Sequence, residues 1–178
     1  MQLAEVHSKN LNEMLFAIGD CLKAERQIPA LVLMYSFIDS LSWVASGQST
    51  ADVRGRFEGW ISRWLLPNLP SSNHQVTATD LYAARCAILH SGTGVSDLSK
   101  SKRAKRILYA WGDASTEALE HTIAAQGMAH EHAALHCKAL FAAIRKGLED
   151  FVASADQDPQ LAKRLQTASI VQYTYVPM

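Results

Sequence analysis

The spacing of apolar positions along the chain is helical almost throughout. Residues 3–26 read as a first helix, because Val6, Leu11, Leu15, Ile18 and Leu22 recur near helical spacing among polar neighbours. A second helix follows to about residue 45, with Pro29 in its first turn, where a missing N–H costs nothing. This helix is apolar on most sides: Leu31, Val32, Leu33, Met34, Phe37, Ile38, Leu41 and Val44. Such a helix belongs at the centre of a bundle. Its polar exceptions, Ser36, Asp39 and Ser40, fall at i, i+3 and i+4 and make one narrow stripe.

A third helix is predicted over 52–66, carrying Phe57, Trp60, Ile61, Trp64 and Leu65 and ended by Pro67 and Pro70. The stretch 67–75 is a loop by composition. A fourth helix begins near Thr77, since Thr77 and Asp80 have the spacing of a capping box with Asp in place of the usual Glu. It stops at Gly92 or Gly94, residues suited to a left-handed exit. Residues 91–104 are loop-like, and 107–111 is short and compatible with a strand or hairpin. A helix over 115–125 starts at Ser115 or Thr116. A long helix is predicted over 129–153, with Leu135, Leu140, Ile144, Leu148 and Phe151 on its apolar face. The tail 168–178 reads as an edge strand or an extended tail. The expectation is an all-α helical bundle, one domain over 1–178, without internal repeats.

Composition adds bounds rather than a function. A chain of 178 residues that is 48% hydrophobic can bury a real core. Seventeen basic and seventeen acidic residues give zero net charge, so any case for nucleic acid must rest on local charge. The cysteine count is odd, and Cys21, Cys86 and Cys137 lie at no metal-ligand spacing, which points to reduced thiols. The N-terminus lacks the basic start and apolar run of a signal peptide. The most apolar stretch, 29–37, is about half of a bilayer span. The expected location is the cytoplasm, with no membrane association. Ser91-Gly92-Thr93-Gly94 is not a phosphate loop, because no Gly-Lys-Ser/Thr follows.

Chemistry concentrates at the end of the fourth helix, in Arg85-Cys86-Ala-Ile-Leu-His90-Ser91. RNA cleavage without a metal needs the 2′-hydroxyl deprotonated, the leaving 5′-oxygen protonated and the crowded phosphate stabilised. Histidine suits the proton transfers. Arginine, always charged and fork-shaped, suits the phosphate. Residues five apart on an α-helix point about 140° apart. Arg85 and His90 therefore converge only if His90 sits in an irregular last turn, or across a dimer interface. Asp39, a carboxylate in the most apolar helix, needs a partner. It is read as the structural partner of Arg85 or of a hydroxyl, or as the group that orients Arg85 towards phosphate.

This Arg-x4-His motif at a helix end, preceded by two helices of this kind, resembles the HEPN superfamily over residues 1–95. The resemblance implies an all-α bundle and a metal-independent endoribonuclease that uses no cofactor. It implies a homodimer in which two such motifs form one composite site, and a place in toxin–antitoxin or other defence systems. Arg85 would stabilise the phosphate and His90 would transfer protons, with Asp39, Cys86 and Ser91 in support. Active members usually carry Asn, Asp or His after the arginine, and Cys86 departs from that pattern. The departure implies an alternative, a non-catalytic RNA- or protein-binding module with an antitoxin or nucleotidyltransferase partner.

Three further clusters bear on the reading. Lys100, Lys102, Arg103, Lys105 and Arg106 place five basic residues within seven, either an RNA-backbone contact or a solvated loop. His132 and His136, at i and i+4 on the predicted helix, could ligate a metal ion, or pack. HExxH is absent, because position 134 is Ala. Trp43, Trp60, Trp64 and Trp111 are read as core or interface packing in preference to base-stacking platforms.

Overall fold

The computed structural model describes residues 5–47, 52–73 and 75–167. Among these the chain is mostly helical, with one small sheet. Helices α1 (Glu5–Lys23) and α2 (Gln27–Ala45) are joined by a three-residue turn in which Glu25 takes a left-handed φ of 53°. So short a link sends α2 back along α1. The burial of α2 follows from its composition. Ala30, Leu31, Met34, Tyr35, Phe37, Ile38, Leu41, Ser42 and Val44 are all buried, on nearly every side of the helix. It packs against α1, α3 (Val53–Trp60), α7 (Cys137–Ser154) and α8 (Pro159–Thr167). By length and hydropathy α2 could cross a membrane, yet half of it is enclosed by the other helices of this domain. Its last carbonyls are met from α8: Arg164 Nε donates to Val44 O at 3.0 Å and Nη2 to Ala45 O at 3.2 Å. A cation at a helix C-terminus satisfies both the orphan acceptors and the dipole.

The predicted third helix is not one regular helix. Asp52 caps α3 by accepting from Gly55 N at 2.7 Å. After Trp60 the chain passes into a π-helical turn, Ile61–Leu65, and then a 3₁₀ turn, Leu66–Asn68, before Pro70. A π-turn carries one extra residue per loop and loosens the carbonyl ladder. Here the Trp64 carbonyl is taken up by Asn68 Nδ2 at 2.8 Å, and the same amide reaches Asp150 Oδ2 at 3.0 Å. The flared turn packs on α7, where Phe151 meets the Trp64 ring edge-on at 4.9 Å and the Trp60 ring at 6.3 Å. The tryptophans at 60 and 64 are therefore packing residues, as expected.

Helix α4 (Ala78–Cys86) opens on the predicted capping box. Thr77 accepts from Asp80 N, and Asp80 Oδ2 accepts from Thr77 N at 2.9 Å. The other oxygen, Oδ1, accepts from Lys105 N at 2.6 Å. Asp80 is only 3% exposed, so this one carboxylate fixes the start of α4 and ties the next segment to it. That segment contains α5 (Asp97–Lys100), capped by Ser96 and Ser99, where a plain loop was expected.

The sheet corrects two expectations. Strand β1 (Arg106–Ala110) pairs in parallel with β2 (His132–His136), from Arg106↔His132 to Ala110↔His136. Helix α6 (Thr116–Ala125), capped by Ser115, makes the crossover. The partner of β1 is thus distant in sequence, which rules out a hairpin. The long helix α7 starts at Cys137 instead of near 129, because Ala133, Ala134 and Leu135 are buried as consecutive strand residues. A parallel strand covered on both faces reads as an unbroken apolar run, and so does a buried helix. A hydroxyl pair, Tyr35 with Tyr109 at 2.5 Å, joins α2 to β1. Burial pushes both phenols up, so the contact is between neutral groups. The tail 168–178 lies outside the described residues.

Gly147 marks a close approach of α7 to the turn after α3. A Cβ there would lie 2.6 Å from the Trp64 carbonyl oxygen and 3.1 Å from its carbon, both backbone atoms. Gly147→Ala should therefore lower the denaturant midpoint, by about 1–3 kcal/mol of stability. Gly59→Ala on α3, where nothing lies within 4 Å, should be neutral or gain up to about 1 kcal/mol. Equal midpoints for the two variants would contradict this packing.

Candidate functional site

The end of α4 is where the chain departs from α-helical geometry a second time. Residues Ala87–Ser91 form a π-helical turn, closed by Gly92 with φ 60°. Gly92 N and Thr93 N (3.2 Å) both donate to the Ala87 carbonyl, and Ser91 Oγ donates to it at 2.7 Å. Ser91 Oγ also meets Thr93 Oγ1 at 2.9 Å. Hydrogen bonds that skip five residues bring i and i+5 towards the same side of the turn. The consequence is direct: Arg85 Nη1 lies 2.6 Å from His90 Nε2. An ideal α-helix would have turned these side chains away from each other.

Asp39 holds the other edge of Arg85. Arg85 Nε donates to Asp39 Oδ2 at 2.9 Å and Nη2 donates to the same oxygen at 2.5 Å. Asp39 Oδ1 is left buried without a hydrogen-bond partner. The pair is mostly shielded from solvent, with 13% of the Arg85 side chain and 20% of the Asp39 side chain exposed. Burial disfavours the guanidinium charge, but the Asp39 carboxylate outweighs it and holds Arg85 above its ordinary value. The pairing of Asp39 with Arg85 is one of the partnerships expected for that carboxylate, and the irregular last turn is the condition under which Arg85 and His90 could meet within one chain. His90 itself is exposed.

An arginine only donates, so His90 Nε2 is the acceptor in this contact. Cys86 is half-buried, and its thiol acts electrostatically on both the Arg85 guanidinium and the Tyr82 hydroxyl. Burial, then the Cys86 thiol, raises the Tyr82 hydroxyl. Tyr82 is a neighbour the motif alone did not single out, although its place three residues before Arg85 puts it on the same helix face.

The other predicted clusters make contacts of their own. The basic segment runs back along α4: Lys105 is bonded to Asp80 in the first helical turn, and its Nζ reaches Gln75 at 3.5 Å. Ten residues of helix separate Asp80 from His90, about 15 Å. The Lys105 backbone is therefore held at the start of α4, the end opposite His90. Lys102 pairs with Glu131 at 2.9 Å, Lys100 lies 3.6 Å from Asp97, and Arg103 Nε donates to Ser101 Oγ at 3.1 Å. His132 and His136 stand at the two ends of β2 instead of on a helix. Four strand steps separate them by about 13 Å, too far for one metal ion. Among the described residues no group of three or more His, Cys, Asp or Glu side chains could hold a metal ion.

No family model matches this chain, and neither a curated protein nor a solved structure matches it. The site is therefore read from its own geometry.

Two measurements check that geometry. Asp39→Ala should cost roughly 2 kcal/mol, below the 3–5 kcal/mol typical when a fully buried pair loses one partner, because solvent reaches part of this one. A denaturation midpoint equal to wild type would mean the pair carries no load. For the thiols, Cys137 is fully buried and burial pushes it up, whereas Cys21 and Cys86 are partly exposed. Alkylation of the native protein followed by peptide mass analysis should leave Cys137 unmodified until denaturant is added.

Proposed function

We propose that this chain is a HEPN-like protein whose Arg85–His90 pair cleaves RNA without a metal ion or cofactor, as a homodimer in the cytoplasm. The carrying observation is the 2.6 Å contact from Arg85 Nη1 to an exposed His90 Nε2, with Asp39 gripping the far edge of the guanidinium. Asp39 holds the arginine in place and leaves Nη1 as the edge that can turn to a ligand. A phosphate oxygen taking the Nη1–H releases His90 Nε2 as a free acceptor, the state a general base needs. His90 then takes the proton of the ribose 2′-hydroxyl, and that oxygen bonds to the adjacent phosphorus. The P–O5′ bond breaks, and the leaving oxygen takes a proton from His90 of a second copy, which enters the step in its protonated form and leaves it neutral as the first His90 becomes protonated. Arg85 offsets the charge that builds on the phosphate. Ser91 supports the pair by anchoring the turn that aligns it. Lys100, Lys102, Arg103, Lys105 and Arg106 are proposed contacts to more distant phosphates.

A second reading is favoured by Cys86. It fills the position after Arg85 with a thiol that acts electrostatically on both Arg85 and Tyr82, where cleaving members of the resembled family usually carry Asn, Asp or His. On that reading the site binds RNA or a protein partner, of the antitoxin or nucleotidyltransferase kind, without cutting.

Incubation of RNA with purified protein and EDTA separates the two. Under the first reading cleavage persists in EDTA and yields 2′,3′-cyclic phosphate and 5′-hydroxyl ends. His90→Ala should then lower the rate roughly 10²- to 10⁴-fold. RNA left intact by wild type and variant alike, with binding retained, would favour the second reading.

A further inference from the structure

Arg54 and Tyr82 continue the site along α4. Thr79, Tyr82, Arg85 and Cys86 stand at i, i+3, i+6 and i+7, so their side chains share one helix face. Arg54, from α3, reaches onto that face. Its guanidinium carbon lies 5.9 Å from the centroid of the Tyr82 ring, and Nη2 approaches Thr79 Oγ1 at 3.4 Å. Phe57 meets the other part of that ring edge-on at 5.6 Å and fixes it. Glu58 Oε1 accepts from Arg54 Nε at 2.7 Å. Two guanidinium groups therefore flank one aromatic side chain, and both act electrostatically on its hydroxyl.

Arg54 is suited to more than a surface ion pair. Its side chain is 41% exposed, and the two bonds it makes leave Nη1 and one Nη2 hydrogen open. The ring contact and Glu58 hold the fork in one orientation, which reduces the ordering cost of a bidentate contact. Thr79 and Arg85 are six residues apart, about 9 Å along the helix axis. That is longer than one nucleotide step in an extended strand, and the two long arginine side chains reach inwards from their anchors to span the difference.

We propose that Arg54 is a second phosphate contact, holding the phosphate next to the one on Arg85, so that the ligand is a single RNA strand laid along α4 with Tyr82 beneath the intervening nucleotide. This rests on the reading of Arg85 and His90 as the phosphate-binding pair. It names the substrate as single-stranded and adds a residue from α3 to the site.

The test is anisotropy titration of the full chain with a labelled five-nucleotide 2′-O-methyl RNA, which lacks the attacking hydroxyl, across a series of salt concentrations. Arg54→Gln should weaken binding several-fold and flatten the slope of log K against log salt by about 0.7, the share of one phosphate on a single strand. Arg54→Lys should restore the slope. Arg54→Met, which keeps the apolar stem against Tyr82, should behave like Arg54→Gln. Wild-type binding with an unchanged slope in Arg54→Gln and Arg54→Met would overturn the second contact and leave the Arg85–His90 reading standing. Absence of salt-dependent binding by the wild type would overturn both.

Discussion

A carboxylate placed in the most apolar helix of the chain has to find a cation. Asp39 sits on α2, the helix that the rest of the domain surrounds, and leaving its charge unpaired there would cost several kcal/mol. Arg85 meets that demand from α4 with two N–H groups on one carboxylate oxygen. The pair does two things at once. It fastens α4 to the central helix, and it fixes the direction of the one arginine that meets His90. Because both donors converge on Oδ2 and Oδ1 goes without a partner, the grip is off-centre. The opposite edge of the guanidinium is the edge that faces the histidine.

The two ends of α4 are held by different means. At its start Asp80 accepts from Thr77 and from Lys105, so helix and following strand share one buried anchor. At its end the π-turn 87–91 adds a residue to the loop and swings His90 back over Arg85. The chain makes the same backbone adjustment after α3, for a different purpose. There the flared turn seats Trp64 against α7, whose Gly147 admits the Trp64 backbone. In both places a regular helix would point a bulky or charged side chain in the wrong direction.

Local features were readable from the residues. The Thr77–Asp80 capping box, a cap at Ser115 or Thr116 and a left-handed exit at Gly92 or Gly94 each depend on a few neighbours and on well-defined backbone chemistry, and the structure uses Ser115 and Gly92. The centrality of α2 was readable because a helix apolar all round has no solvent face. The pairing of Asp39 with Arg85 could be anticipated because few groups could neutralise that carboxylate. The strand His132–His136 could not be read. Its apolar run suits a helix equally well, and only pairing with β1, 26 residues away, decides between them. The two histidines lost their helical geometry for the same reason. Arg54 was also hidden, since its place beside Tyr82 comes from the packing of α3 on α4 and not from any spacing along the chain.

Sequence by itself determined the helical class of this protein, its central helix, its caps and the identity of the charged groups at the end of α4. Those outcomes follow from periodicity, from capping chemistry and from the cost of an unpaired buried charge, all of which act over short stretches of chain. Tertiary structure alone decided that Arg85 and His90 touch, because a gap of five residues diverges on an α-helix and converges on a π-turn. It decided equally that Lys105 lies at the far end of α4 from His90, because the hydrogen bond to Asp80 draws the chain back along the helix.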